Sequence, residues 1–171
     1  GLIAQVDDYD RIALHTAAQR GQPEVIDALI AAKSEIDAPD ENQRTPLHLA
    51  AQNGEEVAVD LLLSHNADVD ARDKDESTPL HLASFSGHLG VMRTLLAHNA
   101  TIDARDKSKH TPLFVAVLGG HRSGNLAPVD LLTAAGADAS LVASALPADA
   151  SSVLSPQILS AIGMGMGKDE L

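Results

Sequence analysis

The sequence predicts an all-α solenoid of stacked helix-turn-helix units joined by β-hairpin-like loops. Three observations predict it. The hexapeptide Thr-Pro-Leu-His-Leu-Ala stands at 45–50 and again at 78–83, and Thr-Pro-Leu-Phe-Val-Ala follows at 111–116, a constant step of 33 residues. The chain is 44% hydrophobic but holds two Phe, one Tyr and no Trp, so its core must be built from Leu, Ala, Val and Ile. Leu and Ala are strong helix formers. Finally, no unit this short buries its own apolar face, whereas stacked copies bury it against one another.

Shifting the chain by one period lays out the frame. Ile12–Ala17 falls on Thr45–Ala50, Thr78–Ala83 and Thr111–Ala116. Gly21 falls on Gly54, Gly87 and Gly120, and Asp7 on Asp40, Asp73 and Asp106. Leu29 matches Leu62 and Leu95; Ile36 matches Val69 and Ile102. Residues 1–11 therefore read as the hairpin end of a preceding partial unit. Residues 12–44, 45–77 and 78–110 are three full units, and 111–147 is a fourth with a four-residue insertion. Residues 148–162 form a C-terminal capping helix region and 163–171 a flexible tail.

Within a unit the elements follow in order. Thr45 suits an N-cap and Pro46 the first helical position. Leu47, Leu49 and Ala50 supply a short apolar face, and Gly54 ends the helix because glycine accepts a left-handed backbone. A second helix runs from about Glu56 to His65, with Val59, Leu62 and Leu63 at helical spacing. Asn66 then fits a left-handed cap, as do Asn99 and Gly136, while Lys33 at the same place predicts local strain. The polar stretch 67–77 reads as an extended turn or hairpin leading to the next Thr-Pro. In the fourth unit the insertion lies within 121–128 and predicts a longer loop between its helices. Ser155-Pro156 followed by Ile158, Leu159 and Ile162 predicts a short helix closing the stack.

The step, the hexapeptide, the glycine after the first helix and Ala-Asp-Val-Asp-Ala-Arg-Asp at 67–73 together resemble ankyrin repeats, over about residues 2–140. The resemblance implies that His15, His48 and His81 are structural, bonding near the Thr and tying the inner helices together. It also implies that hairpin tips and inner helices line a concave binding face. Three departures are visible. The family usually has Gly two residues before the Thr, where this chain has Asp10, Gln43, Glu76 and Lys109, so looser hairpin turns are expected. Glu56 stands where the family usually has Leu, and Phe114 replaces the His of the fourth unit.

The net charge of -12 opposes binding to nucleic acid or an anionic membrane. With no Cys, disulfides and thiolate metal sites are excluded. No apolar run approaches the ~18 residues of a membrane span. His15, His48 and His81 lie one unit apart, about 10 Å in packed helices, too far to share a metal whose bonds are about 2 Å long. His65 and His98 suit helix C-termini, where the dipole favours them. Asp40, Asp73 and Asp106 repeat with the frame and are expected to bond the hairpin backbone. No nucleophile elbow, phosphate loop or zinc-protease motif occurs. No enzyme, cofactor or metal is expected.

Recognition is then left to positions that vary while the frame repeats. At the hairpin tips these are Tyr9 and Arg11; Arg44; Lys74, Asp75 and Ser77; and Lys107, Ser108 and His110. At the inner-helix ends they are Arg20; Gln52 and Asn53; Phe85 and Ser86; and Leu118. Phe85 and Leu118 stand where earlier units carry Gln19 and Gln52, and a large apolar group there suits an interface anchor. Seven of the 12 Lys and Arg lie in hairpins, and 105–110 is locally basic.

The expected function is a non-catalytic protein–protein interaction module presenting a rigid concave surface. It would act as a monomer, its last units meeting a partner with an acidic rim around an apolar anchor. Two alternatives are a regulatory segment of a larger enzyme or channel, since the chain begins inside an earlier unit, and a self-associating array. The resemblance implies a cytoplasmic or nuclear protein. The final Lys-Asp-Glu-Leu would instead imply the endoplasmic reticulum lumen if Leu171 is a true terminus.

Overall fold

The computed structural model of the chain describes residue 7, residues 11–145 and residues 156–162, the side chains of His121 and Ala161 excepted. Tyr9 with most of the leading hairpin, the segment 146–155 and the tail bearing Lys-Asp-Glu-Leu lie outside the described residues. Among the described residues there are ten helices and no strands.

Inner helices α1 (Ala13–Gln19), α3 (Pro46–Asn53), α5 (Pro79–Ser86) and α7 (Pro112–Ser123) pack side by side. Outer helices α2 (Pro23–Ala31), α4 (Glu56–Ser64), α6 (Leu89–Ala97) and α8 (Ala127–Ala134) form a second row behind them. The core lies between the rows, where Leu14, Ile26, Leu47, Leu62, Leu80, Met92, Leu95, Leu113 and Leu132 are fully buried. Each such side chain contributes roughly 1.5–3 kcal/mol by leaving water. Because every unit touches only its neighbours, this stabilisation accumulates along the stack.

The helix ends follow from local chemistry. Thr45 and Thr78 hold extended N-cap backbones, each followed by Pro at the first helical position. Gly54 and Gly87, both at φ 80, take the left-handed cap. Outer helices end on left-handed Asn66 (φ 65), Asn99 (φ 63) and Gly136 (φ 95). Lys33, at φ 65, adopts the same conformation without a favourable side chain.

Three hairpin turns adopt the left-handed backbone without the glycine that the family usually places there. Gln43, Glu76 and Lys109 take left-handed φ of 58, 59 and 65 in place of glycine. What holds them there is the aspartate three residues earlier. Asp40 Oδ1 accepts from the backbone N–H of Asn42 (2.8 Å) and Arg44 (2.9 Å). Asp73 and Asp106 repeat the arrangement at 2.8–2.9 Å. A left-handed non-glycine residue costs about 1 kcal/mol or more, and glycine recovers part of it. Glu76→Gly is expected to stabilise the chain by roughly 0.5 kcal/mol, read as a higher urea midpoint at unchanged m. An unchanged or lower midpoint would show that the turn carries no such strain.

The insertion corrects an expectation. It lengthens the loop between the helices of the fourth unit by only one residue, 124–126 against 54–55 and 87–88; most of it lengthens the inner helix. α7 has 12 residues where α3 and α5 have 8, runs through Gly120, and takes its left-handed cap at Gly124 (φ 75). Four residues are close to one turn of 3.6, so the helix continues with its buried face kept in register. Glycine lowers helix propensity but does not forbid a helix held by its neighbours.

Past the fourth unit the frame changes. A helix that the repeat pattern did not suggest, α9 (Ala139–Ala145), stands where a hairpin would follow and packs on α7. Asp138 caps it, accepting from Ser140 N–H (2.9 Å) and Oγ–H (2.6 Å). The closing helix, α10 (Pro156–Ala161), packs on α8 and helps bury Ile158, Leu159 and Ile162.

Candidate interaction surface

The surface rests on a frame of repeated hydrogen bonds. His15, His48 and His81 are at most 2% exposed. Each Nδ1 accepts a backbone N–H from the residue before its helix: Ile12 (3.2 Å), Thr45 (3.1 Å) and Thr78 (3.1 Å). Nδ1 is therefore unprotonated and Nε2 carries the proton. Nε2 donates to a carbonyl at the end of the next hairpin: Arg44 (3.0 Å), Ser77 (3.0 Å) and His110 (3.1 Å). Burial pushes all three imidazoles below the ordinary 6.5, only partly offset by those carbonyls and nearby aspartates. Phe114 occupies the fourth position. Its ring stacks on His110 instead, centroids 4.1 Å apart.

Two further ladders join the units. At the hairpins, Lys74 N–H donates to Asn42 O (2.9 Å) and Lys107 N–H to Asp75 O (2.9 Å). Before the hairpins, carboxylates of Asp37, Asp70 and Asp103 accept the N–H of Asp68 (3.1 Å), Thr101 (2.9 Å) and Asp138 (3.0 Å) in the following unit. Burial raises the Asp37 carboxyl, and the Asp68 N–H partly offsets it. These aspartates recur at the period of the frame and could have been found from it. His65 and His98 cap α4 and α6, as the dipole argument expects, and each also faces an aspartate of the preceding outer helix. The distances are 3.4 Å to Asp27 and 3.5 Å to Asp60.

Against this frame the candidate recognition residues divide into two groups. Arg11, Arg44, Ser77 and His110 are half-buried and engaged by the scaffold. Arg11 bonds Asp7 and Gln19. Arg44 is gripped by Asp40 through Nε (3.0 Å) and Nη2 (2.8 Å). Burial alone would raise the Asp40 carboxyl, but that grip and the turn N–H groups outweigh it and hold it below its ordinary value. Arg20, Gln52, Asn53, Lys74, Asp75, Phe85, Ser86, Lys107, Ser108 and Leu118 are exposed. Asn53 donates back to Leu49 O and Lys74 Nζ to Asn42 Oδ1, so these two are partly oriented by the frame.

Phe85 and Leu118 are large apolar side chains at 47% and 37% exposure, on the inner helices α5 and α7. Val25 and Val57 are the other large exposed apolar residues described, on the outer helices α2 and α4. The repeat pattern did not single them out, because isolated exposed valines carry no sequence signal. Among the described residues no group of His, Asp and Glu side chains is placed to hold a metal ion, and no helix is long and apolar enough to cross a membrane.

A family model of three ankyrin repeats matches residues 2–73 and again 59–142. A comparison with curated proteins finds no match. Ankyrin repeats generally mediate protein–protein interaction and are typically not enzymes. The matched spans take in most of the chain and the whole double row of helices from α1 to α8, so the chain belongs to the ankyrin-repeat family.

Proposed function

We propose that the chain is a non-catalytic module that binds another protein on a rigid concave surface. Phe85 and Leu118 form its apolar anchor, and the third hairpin supplies a cationic rim through Arg105, Lys107 and Lys109. The observation that carries this reading is the 47% exposure of Phe85 beside exposed Leu118, where the first two units carry glutamine. Exposed aromatics among polar neighbours are the groups that interfaces desolvate to greatest effect. The histidine and aspartate ladders fix the frame before a partner arrives, so little ordering cost falls on binding. The same reading takes the chain as a monomer.

The test is affinity capture from lysate with wild type, with the double variant Phe85→Ala/Lys107→Ala, and with Val57→Ala as an exposed apolar control. A true anchor loses at least 2 kcal/mol, about thirtyfold in affinity, on truncation. The reading requires a partner retained by wild type and by Val57→Ala, and lost by Phe85→Ala/Lys107→Ala at unchanged circular dichroism. Equal retention by all variants would move the site off the last units. A concentration-dependent mass in light scattering, with no captured protein, would favour a self-associating array.

A further inference from the structure

Because α9 stands where a fourth hairpin would stand, the third hairpin does not meet a copy of itself. Between it and α9 lies a cavity of about 230 Å³, lined by Arg105, Ser108, Lys109, His110, Leu141 and Ser144. Among the described residues no carboxylate lines it, although the chain carries a net charge of -12. One unit earlier the matching positions are Arg72, Asp75, Glu76 and Ser77, two of them acidic. The convergence of cations is thus particular to this end of the stack.

The nearby acids accept hydrogen bonds from the chain itself, and Arg105 also helps hold the Asp138 carboxyl below its ordinary value. Asp106 accepts from Ser108 N–H and His110 N–H, both at 2.8 Å, with its other oxygen 3.6 Å from His110 Nδ1. Asp138 accepts from Ser140, and Asp103 from Asp138 N–H. Lys109 sits at a left-handed φ of 65 and lines the cavity. Gln43 and Glu76 share that backbone, so the strain alone does not mark a site; the charge does.

We propose that this cavity binds one oxyanion group, a phosphoryl or carboxylate, between Arg105 and Lys109, with the Ser108 hydroxyl as a neutral donor. Arg supplies a planar fork of donors matched to such a group and Lys a second point charge. That the anion belongs to a partner protein rests on the function proposed above; that the cavity takes an anion does not.

The experiment is an NMR titration of the isotope-labelled chain at low ionic strength. The probes are N-acetyl-phosphoserine amide, N-acetyl-glutamate amide and sodium chloride at matched ionic strength. The proposal expects saturable shifts confined to Arg105–His110 and Leu141–Ala145 with at least one organic probe and none with chloride. Saturation by phosphoserine alone assigns a phosphorylated partner; saturation by both assigns an acidic one. Arg105→Gln should weaken the affinity about tenfold. Lys109→Gly should weaken it equally while raising the urea midpoint, since it removes the cation and relieves the backbone together. Lys33→Gly, the same change at a distant strained lysine, should leave the affinity unchanged. Absence of saturation by both organic probes overturns the proposal. So do equal shifts around Lys33 and Arg93, or equal effects of chloride, which describe diffuse surface charge. These outcomes are independent of the Phe85 test: the cavity can bind its probes while the surface around Phe85 captures nothing.

Discussion

Lowering the pH from about 7.5 to about 5.5 destabilises the stack steeply, well above the range in which carboxylates titrate. The cause is the three buried histidines. Their folded values lie below the ordinary 6.5, so above 6.5 the rings are neutral in both folded and unfolded chains and exert no pH dependence. Below 6.5 the unfolded chain takes up protons that the folded chain refuses. Stability is therefore fully present above 6.5 and is lost as pH falls from there towards the depressed folded values. Each ring costs at most about 1.4 kcal/mol per pH unit while it stays neutral, and three together roughly 4. That is a large share of the 5–15 kcal/mol typical of a domain. Asp40, also held low, adds its loss only at more acid pH, near and below 3.8. The measurement is the urea midpoint across this pH range for wild type and His48→Leu. The variant leaves Thr45 N–H without its partner and removes one of the two donors to Ser77 O, which keeps Asp73 N–H (3.1 Å), so it should lose about 1–3 kcal/mol at neutral pH. It should also lose about a third of the acid slope. A flat profile, or an unchanged slope in the variant, would mean that these rings protonate freely inside the fold.

The same histidines show why so much of the fold was legible. Period, N-cap, Pro, His and terminal Gly are local solutions to local problems, and each is written again in every unit, so four copies vote on one reading. Legibility fails where the copies stop agreeing. Gly120 aligns with Gly54 and Gly87 but lies inside α7, because one inserted turn lets the helix run on to Gly124. Alignment sees a glycine; it does not see that the added length is a whole turn. α9 was hidden for the opposite reason. Ala-Asp at 137–138 matches the start of earlier hairpins, yet Asp138 caps a helix because Ala, Leu and Val follow instead of a polar turn. For the surface, sequence variation identified the exposed row from Arg20 to Leu118. It could not separate Arg44 and His110, which the frame engages, from Lys107 and Ser108, which it leaves outside. A pairing such as Arg44 with Asp40 is a fact of side-chain geometry that a list of variable positions does not contain.

The glycines offer the sharpest contrast between sequence expectation and packing. Gly90 and Gly119 both lie in helices, and helix propensity alone favours Ala at each by up to about 1 kcal/mol. At Gly90 the atoms nearest an added methyl group are those of the Glu56 carboxylate, the end of an exposed and flexible side chain that can swing into water. Gly90→Ala is therefore expected to be neutral or to stabilise by up to about 1 kcal/mol. At Gly119 the methyl carbon would lie 2.5 Å from the backbone carbonyl oxygen of Phe85 and 3.3 Å from its carbon. A backbone carbonyl in a helix cannot swing aside; α5 and α7 must separate. Overpacking of this kind costs typically 1–3 kcal/mol, more than the propensity gain. Gly119→Ala should therefore lower stability while Gly90→Ala does not, although the two substitutions are chemically identical. The change at Gly119 reaches function as well, because the helices it drives apart carry Leu118 and Phe85. A urea midpoint for Gly119→Ala equal to or above wild type would show that α5 and α7 are not held at this separation. The exposed apolar pair would then owe its placement to something other than the glycine between its helices.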